Sequence, residues 1–161
     1  MKSISFLFLL MFLTVGQSFA QKVPTELLGT WTNGNVSMLQ EKNLTTGQTT
    51  AANGSTFKYV FSADGSFEFV GYMQSTMYGC TTALFNQKIG KIEASGNQIT
   101  FVPSKNFWRN NYSCSPASNK EKNHVLDKET YEWRTKTHEY GKKFICLSNA
   151  KGESCYRREE K

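Results

Sequence analysis

Residues 56–75, "TFKYVFSADGSFEFVGYMQS", limit what this chain can fold into more than any other stretch. Phe57, Tyr59 and Phe61 alternate with other residues, Ala63-Asp64-Gly65 interrupts, and Phe67, Phe69 and Met73 resume the alternation. Successive side chains of an extended strand point to opposite faces, so a period of two gathers these rings on one face. Asp-Gly between two such runs is a strong hairpin signal. The sheet so formed has one face too apolar to leave in water, and the rest of the chain must cover it.

The same device recurs. "KIEASGNQITFVP" (91–103) turns at Ser95-Gly96-Asn97, and "ETYEWRTKTHEYGKKFICL" (129–147) sets Tyr131 and Trp133 on one face before a turn at Tyr140-Gly141-Lys142. "FICLSNAKGESCYRR" (144–158) forms a last hairpin about Ala150 and Lys151. No segment carries a helical apolar period over more than two turns. Residues 41–56 and 103–123 read as irregular. The expected fold class is all-β, one antiparallel domain of eight or nine strands in hairpin order.

The first twenty residues stand apart. Lys2 precedes the apolar run "ISFLFLLMFLTV", and "SFA" offers small residues at a cleavage point after Ala20. That is the layout of a secretory signal peptide, too short to span a bilayer comfortably. It predicts an exported chain, periplasmic or secreted, with a signal peptide at 1–20, a domain at 21–161 and no membrane span. Four cysteines, Cys80, Cys114, Cys146 and Cys155, fit two disulfides in an oxidising compartment. The last hairpin sets Cys146 opposite Cys155, which leaves Cys80 for Cys114. The formal net charge of +6 is scattered, with no basic helix or reading motif, so no nucleic-acid partner is expected.

Several stretches together resemble the calycin barrels, and most of all small secreted bacterial lipocalin-like domains. They are "LLGTW" (27–31), "FSADGSFEF" (61–69), Gly71 to Cys80, "NNYSC" (110–114), "ETYEWR" (129–134) and "CYRR" (155–158). The resemblance implies a single up-and-down, lipocalin-like barrel of about eight strands. It implies that Gly29 and Trp31 open the first strand, that Trp31 packs across the closed end, and that Arg157 or Arg158 lies over its ring. The Thr-Asp-Tyr motif of classical lipocalins and the Arg-x-Tyr carboxylate trap of intracellular fatty-acid carriers have no counterpart, so the resemblance names no ligand.

Chemistry offers little. His124 and Asp127, three apart, read as surface polar residues, and oxidised cysteines leave no thiolate metal site. No phosphate loop or nucleophile motif is present. The expectation is a protein that is not an enzyme, with no catalytic residue, metal or cofactor, binding a small hydrophobic molecule. Met73, Tyr131 and Trp133 are the candidate pocket residues, with Trp108 and Arg109 at its lip. Complete filling of a small barrel by its own rings is the competing expectation. A protein-interaction module, such as an inhibitor of a secreted hydrolase acting through its loops, is the alternative function; "NFWRNNYSC" (106–114) concentrates the residue types that dominate protein interfaces.

Overall fold

The computed structural model describes residues 23–36, 53–124 and 126–160. The expected signal peptide and residues 41–52 of the first irregular stretch lie outside them. Among the described residues nine strands follow in chain order: β1 (Gly29–Val36), β2 (Gly54–Phe61), β3 (Ser66–Met77), β4 (Cys80–Ser95), β5 (Gln98–Tyr112), β6 (Lys120–Asn123), β7 (Glu129–Thr137), β8 (Lys143–Asn149) and β9 (Gly152–Arg158). Eight of them close an antiparallel barrel in the order β1-β2-β3-β4-β5-β7-β8-β9, with β9 returning to β1. β6 stands outside, paired to the far half of β5, while β7 pairs with its near half. Closure removes the open edges that an eight-strand sheet would otherwise expose.

The rings gathered by the period-two pattern fill the lower barrel. Tyr59, Phe61, Phe67, Ile92, Ile99, Phe101, Ile145, Leu147 and Tyr156 form one core with Trp31. Phe101 sits at its centre, edge-on to Phe67 (4.9 Å between centroids) and to Tyr131 (5.7 Å). Such geometries add to the gain from area burial alone, by about 0.5–1.5 kcal/mol per pair.

Trp31 closes the floor. It is 1% exposed, and its indole N–H donates to the Leu27 carbonyl at 2.7 Å. Val23 and Leu27, just before β1, cover it from the N-terminal side. Arg158 covers it from the other end of the chain, its guanidinium 5.4 Å from the ring centroid. The two meet because β9 pairs with β1 at Trp31–Arg158 and Thr32–Arg157. Arg157 faces the opposite side of the strand and borders an outer groove with Lys142 and Lys143.

Residues 103–112 are not irregular. They continue β5, which runs beside β4 to Tyr112. Pro103 suggests a strand end because it cannot donate to a ladder. Here it sits at a β-bulge: Ile89 faces Lys105 and Gly90 faces Pro103, leaving Ser104 as the extra residue. The bulge shifts the parity of β5, so that Ile99 and Phe101 point inward below it and Asn106 and Trp108 above it.

Both disulfides join the expected cysteines. Cys146 and Cys155 are direct cross-strand partners with Cα atoms 3.9 Å apart. Cys80 and Cys114, Cα atoms 5.3 Å apart, tie the start of β4 to the residues after β5.

Candidate ligand-binding site

β3, β4 and β5 run 12, 16 and 15 residues, against 7 to 9 for β7, β8 and β9. The long strands rise past the packed core on one side only. Their inward residues there have no opposite wall of equal height. A cavity of about 410 Å³ lies in this position, within the size range of small-molecule sites. Phe57, Phe69, Met73, Leu84, Trp108 and Leu126 line it with carbon, and Gly71 opens space between them. Gly71 works by absence, since a Cβ there would sit 3.2 Å from the Phe69 ring and 3.3 Å from that of Phe57.

One end of the cavity is polar, with Asn86, Lys88, Asn106 and His124. Asn86 Nδ2 donates to the Phe107 carbonyl (3.1 Å) and to Asn106 Oδ1 (2.8 Å). Asn106, only 3% exposed, passes the chain on: its Nδ2 lies 3.0 Å from both ring nitrogens of His124. The Phe107 carbonyl can only accept, so it fixes the orientation of both amides and requires a lone pair on the imidazole nitrogen that pairs with Asn106. Lys88 Nζ stands 3.3 Å from Glu129 Oε2 and 5.6 Å from the Phe69 centroid. The Tyr131 hydroxyl donates to the same carboxylate oxygen at 3.4 Å. Burial, with the Glu129 charge added, pushes the Tyr131 phenol up to about 12.

Of the residues expected to bind, Met73 and Trp108 lie together on the cavity wall. Trp108 stands in β5 rather than in a loop. Arg109, its neighbour, points to the outer face, its guanidinium 5.8 Å from the Phe85 ring, and does not form a lip. Tyr131 and Trp133 are not on this cavity. Tyr131 packs edge-on to Phe101, and the Trp133 indole N–H donates to the Gly96 carbonyl (3.2 Å) beside the β4–β5 turn. They sit on the short-stranded side, whereas the cavity follows the long strands.

Sequence reasoning missed Asn86, Lys88, Asn106 and His124 as a group. His124 is exposed, as expected of a surface polar residue, and its ring also meets Asn106 at the cavity edge. Only the alternation of Leu84, Asn86 and Lys88 pointed inward from the sequence, and that needs the β4 register to be read.

No protein-family model matches the chain, and no curated protein or solved structure shows significant similarity to it. Among the described residues no helix is long and apolar enough to cross a membrane. The two disulfides are consistent with an extracellular or periplasmic location.

Proposed function

We propose that this is an exported lipocalin-like barrel, not an enzyme, that holds a small and mainly apolar molecule in the cavity at its mouth. The observation that carries this reading is the cavity itself, about 410 Å³ with Phe57, Phe69, Met73, Leu84 and Trp108 on its wall. Leaving it to water would expose carbon that neighbouring strands bury elsewhere. A neutral apolar dye, N-phenyl-1-naphthylamine, tests the reading. It should bind the native protein with enhanced fluorescence, and Leu84→Trp, which fills the cavity, should abolish the enhancement. A native protein that leaves this dye and other neutral apolar dyes unbound would rule the carrier reading out.

One observation favours a protein-interaction module instead. The β3–β4 turn carries Met77 and Tyr78, 67% and 98% exposed, and Tyr78 takes φ of 50°, a conformation that favours glycine or asparagine. An exposed ring held in an unfavourable backbone state at a hairpin tip suits contact with a partner. If dyes do not bind and Tyr78→Ala removes capture of a secreted hydrolase, this second reading replaces the first.

A further inference from the structure

Resting on the reading that the mouth cavity holds a small apolar molecule, we infer that this molecule is uncharged and carries a hydroxyl or amide N–H that donates to Oδ1 of Asn86. Both N–H bonds of Asn86 are spent, one on the Phe107 carbonyl and one on Asn106 Oδ1. That leaves Oδ1 as its unspent polar atom, and Oδ1 accepts from no described residue while remaining accessible. An amide oxygen has no proton to give, so a ligand satisfies it only by donating. Asn86 cannot turn its amide over to offer N–H instead, because that would set oxygen against the Phe107 carbonyl. Asn106, buried and engaged through both Oδ1 and Nδ2, braces it in that orientation.

The charges argue for neutrality. Lys88 is the cation on the cavity wall, and its charge is already matched by Glu129 at 3.3 Å and faced by the Phe69 ring. A ligand carboxylate placed beside Lys88 would meet the Glu129 carboxylate as well, so it would lose hydration against a cation already paired. A ligand ammonium would meet Lys88. An uncharged donor meets neither penalty, and an apolar body covers Phe57, Met73, Leu84 and Trp108. An alcohol of medium chain length has this chemistry.

A ladder of four molecules of equal chain length tests the inference by displacement of N-phenyl-1-naphthylamine at pH 8. They are 1-decanol, decyl methyl ether, decanoate and decylamine. The ether keeps the oxygen and is more apolar than the alcohol, but it cannot donate. Decanol should bind about two- to tenfold more tightly than the ether, within the range for one hydrogen bond to a neutral partner, and more tightly than either charged compound. Asn86→Leu should level decanol with the ether. Because Asn86 also holds Asn106 and Phe107, the ladder on the unaltered protein decides. Decyl methyl ether binding as well as decanol, or decanoate binding better, overturns this inference while leaving the carrier reading intact. Failure of the dye and all four compounds to bind removes both.

Discussion

Gly90 faces Pro103 across the β4–β5 ladder so closely that no side chain fits at Gly90. A Cβ there would lie 2.2 Å from the Val102 carbonyl oxygen, 2.8 Å from Pro103 Cα and 2.9 Å from the Phe67 ring. This approach accommodates the bulge at Ser104, and the bulge turns Trp108 toward the cavity. Two of the three obstructing atoms are backbone, which cannot step aside as a side-chain end does. Gly90→Ala should therefore cost roughly 1–3 kcal/mol, toward the upper end of the overpacking range, read from the midpoint of urea unfolding. It should also weaken dye binding, because the displaced ladder carries Trp108. Unfolding at the native midpoint would mean that the two strands have slack.

Trp31 joins the start of the barrel to its end. Trp31→Ala should cost roughly 3–5 kcal/mol, the range for emptying a buried aromatic site, and a loss below about 1 kcal/mol would contradict its place at the floor. Arg158→Met keeps the aliphatic stem and removes the charge over the ring, so it should cost only about 0.5–1 kcal/mol. Equilibrium unfolding of the two variants separates ring packing from charge.

Alkali should reach the barrel interior late. Burial raises the Tyr59, Tyr131 and Tyr156 phenols, Tyr131 to about 12. An unfolded phenol ionises near pH 10, so the fold holds these protons more tightly than the open chain does. Their contribution to stability is whole below pH 10 and is lost as pH rises through the folded values. Absorbance at 295 nm should show the Tyr59, Tyr131 and Tyr156 phenols ionising above the pH at which an unfolded phenol does, and Tyr131→Phe should remove the step near pH 12. A single unresolved transition near pH 10 would mean open rings.

The barrel could be read in the sequence because its main cause is local. Alternation around Asp64-Gly65 and Ser95-Gly96-Asn97 determines which side chains face inward without reference to any distant residue. The Cys146–Cys155 bridge followed from the same local register. The continuation of β5 past residue 103 was hidden, since Pro103 is taken in by a bulge that depends on Gly90 in another strand. The polar end of the cavity was hidden for a similar reason. Asn86, Asn106 and His124 come from β4, β5 and the segment after β6, and nothing in their spacing along the chain joins them. Tyr131 and Trp133 are off the cavity because it follows the 16- and 15-residue strands β4 and β5 rather than the nine-residue β7 that carries them, and alternation alone does not show strand height.

The Cys80–Cys114 bridge divides the molecule by what holds it in shape. Around Phe61 and Phe101, order comes from packed rings, with the Cys146–Cys155 bridge joining β8 to β9 beside them. Between Tyr72 and Leu84 no residue is buried, and there the sheet is held by its ladder, by side-chain hydrogen bonds such as Thr76 Oγ1 to Thr81 Oγ1, and by the Cys80–Cys114 bridge. The cavity borrows Phe57 and Phe69 from the first region, and Met73 and Leu84 from the second. Its wall therefore joins strand held by packed rings to strand that the Cys80–Cys114 bridge ties. A chain with free thiols keeps the material of a barrel, but loses the covalent stay behind one side of its vessel.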